Sequence, residues 1–439
     1  MTDRYSDWPE EYAKRLMAPE EAARLVRNGD NIGIPVGAMV PTVASAIFGR
    51  RDELNDVDVY VCAPSTDPGW WTPPGHPAFR MHVEVFGTPI SRPAIASRNA
   101  DFTSYAFSTQ FKGSDERGEP VHHPDVALVA VGLPDHLGFC SLGMGIWNAL
   151  STAQHARTVI AEVHSGFPRT FGEGRLHVME IDAFVEAGSL PARRPGLSLE
   201  GFPMALGGYV NELIKDGDCF QIGLGGLTNA LPMAGAFAGK EDLGVHAELS
   251  APGMIRMVRD GIITGTRKTL HPRKYVTTQL EASGEGDLEF IHENPMFELY
   301  GVAYVNNPRV IAENDNMVAI NNALAIDFAG QVTAESIGAE LWSGPGGQQD
   351  FAIGAMLARG GRNVTILKSV AAKGTVSRIM PRLPEGSIIT IPRQFTDYVI
   401  SEFGIARLFG KSDRERAHEL ISIAHPDHRA ELRRALERM

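Results

Sequence analysis

Short apolar runs recur along the chain, at 126–131, 158–163, 364–367 and 387–391, and stretches of helical periodicity separate them. Runs this short, bounded by turn residues, predict strands buried on both faces. Their alternation with helices predicts a mostly parallel sheet. One strand carries an oddity. In DLGVHAELSAPG, residues 242–253, Leu243, Val245, Ala247 and Leu249 alternate with His246 and Glu248 before Ser-Ala-Pro-Gly stops the strand. A carboxylate at the tip of such a strand is a solvated strand end, a ribose-binding acid or a nucleophile. Near the C-terminus, Ser412-Asp413-Arg414-Glu415 has the spacing of a capping box. It predicts the start of an amphipathic helix, RERAHELISIA, that ends before His425-Pro426.

The pattern occurs twice. Residues 25–62 and 213–250 each read as a helix end, Gly-Asp, a short strand, a glycine-containing turn, a helix and a second strand. Gly29-Asp30 matches Gly217-Asp218, Ile34 matches Ile222, and Gly37 matches Gly225. Such a match predicts an internal duplication of a βαβ unit and two similar open α/β domains, 1–195 and 196–439. The segment 189–203, SLPARRPGLSLEGFP, lacks periodicity and reads as the linker.

Composition narrows the function. A chain of 439 residues is too long for one ordinary core. A net charge of −12 argues against a nucleic-acid footprint or a polybasic membrane patch. Cys62, Cys140 and Cys219 show no paired spacing, which suits a reducing compartment and no disulfide framework. The acidic N-terminus has no apolar signal region, and no apolar run approaches the roughly 20 residues that span a bilayer. The expected location is the cytoplasm, without membrane or nucleic-acid partners.

Two glycine-rich turns carry candidate chemistry. IGLGGLTNA, 222–230, follows a strand and precedes a helical pattern, with Gly223, Gly225, Gly226 and Leu227 offering backbone donors at a helix start. Thr228 stands where a dinucleotide fingerprint has its third glycine, yet Glu248 falls about 20 residues on, where such folds keep a ribose-binding acid. An NAD-dependent oxidoreductase is therefore a coherent rival. In SGPGGQQDF, 343–351, Gly344, Gly346 and Gly347 permit close approach of a ligand to bare backbone. Pro345 cannot donate, which leaves the Gly346 and Gly347 amides. GIARLFGKS fails the P-loop spacing, the histidines form no metal-binding pattern, and no GxSxG elbow occurs. No metal site is expected.

These motifs together resemble the acetyl-CoA hydrolase/transferase group of class I CoA-transferases, which includes the 4-hydroxybutyrate CoA-transferases. The likeness runs nearly end to end, through LPDHLGFCSLG, QIGLGG, GVHAEL, the long stretch 294–338, SGPGGQQDF and SEFGIARLFGKS. It implies two CoA-transferase-like (NagB/RpiA-type) α/β domains, with the active site at their junction and toward the second. It also implies that Glu248 is the catalytic glutamate, that Asn306 and Glu402 orient the reacting groups, and that the Leu227 and Gly347 amides serve as oxyanion donors. In the first repeat the position aligned with Glu248 is Cys62. Coenzyme A would enter as part of the substrate, with no separate cofactor. The partners would be an acyl-CoA, a carboxylate acceptor and further copies of the chain in a homodimer or larger homo-oligomer.

The expected reaction is CoA transfer between a short acyl-CoA and a carboxylate through acyl-glutamyl anhydride and glutamyl-CoA intermediates. The alternatives are an acyl-CoA hydrolase using the same nucleophile, a silent CoA-binding protein and, more distantly, the oxidoreductase. Family members often have Thr-Glu-Met-Phe-Ser-Asp-Gly where this chain has Ala247-Glu248-Leu249-Ser250-Ala251-Pro252-Gly253. Pro345 intrudes in the second glycine turn, and Lys373 is displaced by one position in Ala371-Ala372-Lys373-Gly374.

Overall fold

A computed structural model describes residues 7–72, 75–119, 123–189 and 199–439. The chain divides into two compact units, Met1–Arg193 with Leu288–Ala303 and Arg194–Asp287 with Tyr304–Met439. Most of the segment read as a linker lies outside the described residues.

Unit 1 is built on seven strands: β1 (Asn31–Ile34), β2 (Val57–Cys62), β3 (Phe79–Glu84), β4 (Ala100–Thr103), β5 (Val126–Val131), β6 (Thr158–Ser165) and β7 (Ala183–Ser189). Their order is β7-β6-β5-β1-β2-β3-β4, and every pairing is parallel. Unit 2 carries β8 (Cys219–Ile222), β9 (Gly244–Leu249), β10 (Tyr275–Gln279), β11 (Met317–Asn322), β12 (Arg362–Ile366), β13 (Tyr398–Ser401) and β14 (Gly404–Arg407). Their order is β14-β13-β12-β11-β8-β9-β10, with only the β13–β14 hairpin antiparallel. The two sheets share one plan. In each, the first strand starts a walk in one direction, and the chain then returns to its other side.

Parallel strands covered on both faces need no polar side. All positions of β5, β9 and β12 are buried, as expected when both faces of a parallel sheet are packed. The alternation around Glu248 therefore does not separate core from solvent. It divides two protein-covered faces. The solvated-strand-end reading of Glu248 fails on this ground, since the residue is only 5% exposed.

The repeated Gly-Asp explains itself structurally. Gly29 (φ +77°) and Gly217 (φ +79°) turn the chain through the left-handed region that suits glycine. The aspartates that follow accept backbone hydrogen bonds from Arg27 (2.8 Å) and Lys215 (2.7 Å). Each then pairs with an arginine at the start of an equivalent strand: Asp30 with Arg157 just before β6 (3.1 Å), and Asp218 with Arg362 in β12. The duplicated motif is a clamp at the base of each sheet.

Two local expectations change. The helix predicted after the 222–230 turn is reduced to a 3-10 turn, Thr228–Ala230. Pro232 lacks the amide hydrogen a helix needs, and Gly235 sits at φ +82°. The first repeat keeps its helix, α1 (Pro41–Gly49). The apolar run 387–391 forms no strand. It makes a single antiparallel bridge, Val332 to Ile391, and leaves Ile388 and Ile389 at 40% and 36% exposure. Apolar content alone does not supply a ladder partner. The capping box at Ser412 and Glu415 is present and opens a helix over Asp413–Ser422.

The clamps give an asymmetric prediction. Asp218 and Arg362 are nearly fully buried, so Arg362→Leu should strand a buried carboxylate and cost about 3–5 kcal/mol. Arg157 is 42% exposed, so Arg157→Leu should cost only about 1 kcal/mol or less. Urea denaturation of the two variants checks the difference.

Candidate active site

In an open parallel sheet, the carboxyl ends of the two strands flanking the reversal of strand order form a natural crevice. In unit 2 those strands are β8 and β11. Glu248 lies beside them, at the end of β9. Asn306 donates from Nδ2 to Glu248 Oε2 at 2.8 Å, and Asn306 itself is fully buried. Asn306 sits just ahead of Asn307, whose side chain caps the short helix Pro308–Ala312 by accepting from the Arg309 amide (3.0 Å). The hydroxyls of Thr277 and Thr278 in β10 donate to the Glu248 carbonyl. That fixes the strand end below the carboxylate.

The second glycine turn closes over this pair. A Cβ at Gly347 would fall 1.9 Å from Glu248 Oε2 and 2.2 Å from Asn306 Nδ2, so only glycine fits. Gly347 is the N-cap of α2 (Gln348–Leu357), and Gly346 before it adopts φ +56°. Burial pushes the Glu248 carboxyl up to about 7. The Asn306 hydrogen bond opposes that shift, the nearby charge of Asp350 adds to it, and a backbone hydrogen bond from Gly347 opposes it. Burial is the largest of these causes.

The first glycine turn is held from β11. Gln221 and Asn321 exchange two amide hydrogen bonds (3.1 and 3.2 Å) beneath Gly223, where a Cβ would meet Asn321 Oδ1 at 2.1 Å. Gly225 lies against Asn322, whose Nδ2 donates to the Thr228 hydroxyl at 2.6 Å. The backbone oxygen of Asn322 accepts from Gln348 Nε2 at 3.0 Å. Asn322 thus ties the first turn to the second. Gly226 is exposed, Leu227 half-buried and Gly344 buried.

Glu248, Asn306 and Gly347 form one contact cluster, with Gly225 joined to it through Asn322 and Gln348 and Gly223 packed on the adjacent Asn321. Glu402 stands apart in its bonding. Both of its oxygens are engaged by Ser369, from the backbone amide (2.9 Å) and the hydroxyl (2.7 Å). Reading the residues singly missed Asn321, Asn322, Gln348 and Asp350. The one signal for the asparagines is a polar pair closing the apolar run MVAI.

Register verifies the alignment of the repeats. Asn31 pairs with Asp58 in unit 1, and Cys219 with Gly244 in unit 2. Counting four residues on from each partner places Cys62 where Glu248 stands. Burial and the neighbouring Glu84 raise the Cys62 thiol well above its ordinary range. Glu84, paired with Cys62 across β2 and β3, is itself buried with its carboxyl raised by burial. The first copy has a carboxyl at this level too, but on the neighbouring strand.

A buried carboxylate aimed between a side-chain amide and a glycine-rich helix start can attack an electrophilic carbonyl, with backbone donors near at hand. Among the described residues no helix is long and apolar enough to cross a membrane.

Comparison with known proteins identifies the family. Residues 1–191 match the acetyl-CoA hydrolase/transferase N-terminal domain, and residues 287–436 match the C-terminal domain of the same family. A 4-hydroxybutyrate coenzyme A transferase of Clostridium kluyveri is 38% identical, over 97% of this chain and 98% of the relative. A succinyl-CoA:cyclohexane-1-carboxylate CoA transferase of Geobacter metallireducens is 35% identical, over 98% and 97%. The crystal structure of RipA from Yersinia pestis superposes with a TM-score of 0.89 at 31% identity, covering 99% of both chains. The chain belongs to the acetyl-CoA hydrolase/transferase family and is an enzyme of its CoA-transferase type.

Proposed function

We propose that the protein moves CoA between a short-chain acyl-CoA and a carboxylate acceptor, with Glu248 as the covalent nucleophile. The observation that carries this reading is the buried Glu248 carboxylate, held by Asn306 directly under the Gly347 turn. A carboxylate is a weak nucleophile in water. Stripped of its hydration and fixed next to a thioester, it becomes competent.

The Glu248 oxygen attacks the thioester carbonyl carbon, the C–S bond breaks, and CoA leaves as its thiolate with a mixed anhydride on the enzyme. The thiolate then attacks the glutamyl carbonyl, expels the first acid as a carboxylate and leaves a glutamyl-CoA thioester. The acceptor carboxylate attacks that thioester and displaces the CoA thiolate to give a new mixed anhydride. The thiolate then attacks the acceptor's acyl carbon, releasing the new acyl-CoA and the free Glu248 carboxylate. Each attack builds negative charge on a carbonyl oxygen. The Gly347 amide and the Leu227 amide are the donors we assign to it. Asn306 steers the nucleophile, and Glu402 acts through Ser369 as a positioning residue. Coenzyme A is substrate, and the scheme requires no metal or further cofactor.

Incubation with acyl-CoA and no acceptor should leave CoA covalently attached, and peptide mapping should find it on Glu248. Glu248→Ala should abolish adduct and transfer while staying folded. Steady release of free CoA without acceptor would instead favour a hydrolase. Transfer by a contaminant-free Glu248→Ala protein would sink the nucleophile.

Only the ionised carboxylate attacks, so the rate of adduct formation should rise with pH through about 7 and level off above it. Asn306→Ala removes a hydrogen bond that favours the charged form and should move this limb to higher pH. Rapid-quench measurement of the Glu248–CoA adduct across pH 5–9 reads both. Gly347→Val places a side chain on Glu248 itself, and turnover should fall on the order of 100-fold or more. CoA affinity, followed by calorimetry, should change far less.

A further inference from the structure

We propose that His246 is a positioning residue for the reaction, acting through the peptide that presents Asn306 to Glu248. The inference rests on the nucleophile assigned above and extends it to a residue that touches neither substrate nor Glu248.

His246 lies two residues before Glu248, on the same face of β9, because side chains alternate along a strand. It is fully buried. Its Nε2 is 2.9 Å from the carbonyl oxygen of Val305. A carbonyl only accepts, so Nε2 must carry the proton and donate. That carbonyl belongs to the peptide bond joining Val305 to Asn306. The hydrogen bond therefore fixes the peptide plane from which the Asn306 side chain springs.

Asn306 needs such a hold. On its C-terminal side the chain is secured by the Asn307 cap, while its own side chain has only the 2.8 Å bond to Glu248 and a buried Oδ1 without a hydrogen-bond partner. The His246 ring is kept in place by packing. Tyr304 and Phe351 lie with ring centroids 6.4 Å away, and the Tyr304 hydroxyl is 2.7 Å from His271 Nε2. The ring also stays neutral. Burial, the Lys268 ammonium and His271 push it down to about 3, against the opposing hydrogen bond to Val305. Lys268 is itself anchored to the carbonyls of Val245 (2.7 Å) and Lys274 (3.0 Å). One tautomer and one bond are thus imposed on His246 throughout the working pH range.

The test compares His246→Phe, which keeps a ring and loses the donor, with His246→Gln, whose amide can again offer an N–H to Val305. The rate of Glu248–CoA adduct formation, the affinity for acyl-CoA and the melting temperature are measured for each. His246→Phe should slow adduct formation about 10-fold or more while affinity changes less than about twofold, because small misplacements of a reacting group are costly in rate. His246→Gln should recover most of that rate. In an Asn306→Ala background, His246→Phe should have little further effect, since residues acting through one contact are non-additive. A folded His246→Phe protein with the native adduct rate overturns the proposal. So does the full additional slowing in the Asn306→Ala background, which would mean that His246 acts independently of Asn306. Absence of any adduct in the unmodified enzyme faults the nucleophile instead. In that event a crystal structure of His246→Phe with Asn306 unmoved overturns the positioning role as well.

Discussion

Burying one carboxylate is the constraint around which the second unit is organised. An ionised group cut off from water is costly unless hydrogen bonds replace its hydration. Glu248 receives a partial replacement, from Asn306 and the Gly347 turn. The remainder appears as a carboxyl raised to about 7, with burial as the largest cause. Full compensation would leave a stable, unreactive anion. Too little would leave a neutral acid. The balance leaves a carboxylate that is partly ionised near neutral pH and poorly solvated.

That balance explains the asparagines and glycines around it. Gly223, Gly225 and Gly347 each occupy a place where a Cβ would overlap Asn321, Asn322 or Glu248. The glycines are thus required by close packing against amides, and only Gly346 among the second turn's residues needs the left-handed region. Ser250 is buried and hydrogen-bonds Tyr275 of the neighbouring strand, and Gly253 after Pro252 turns the chain at φ +88°. Ala372 and Lys373 both take positive φ in the turn between 370 and 377.

The duplication separates what holds a sheet from what works at its edge. Both copies retain the glycine turn, the buried aspartate and its arginine at the base. At the opposite end they diverge, with Cys62 and Glu84 in one and Glu248 in the other. Among the described residues, Glu248 is bonded by an asparagine and lies beside a glycine-rich helix start, whereas Glu84 is bonded by Cys62 and Gln110.

The sequence by itself determined the fold class, because short apolar runs separated by helical segments have few packings other than a parallel sheet. It also determined the repeat, since Gly-Asp and the strand that follows are local signals. Glu248 was legible as an oddity, a carboxylate at the tip of an otherwise apolar strand just before a sharp break, and the family resemblance implied a role for it. Tertiary structure alone decided the rest. Periodicity could not show that both faces of β9 are covered, because the same alternation marks a half-exposed strand. Nor could it show that Asn306, 58 positions from Glu248, lies 2.8 Å from it, that Asn322 ties one glycine turn to the other, or that His246 reaches the Val305 carbonyl. Those contacts depend on which strand lies beside which, and strand order is set by long-range packing that no local pattern records.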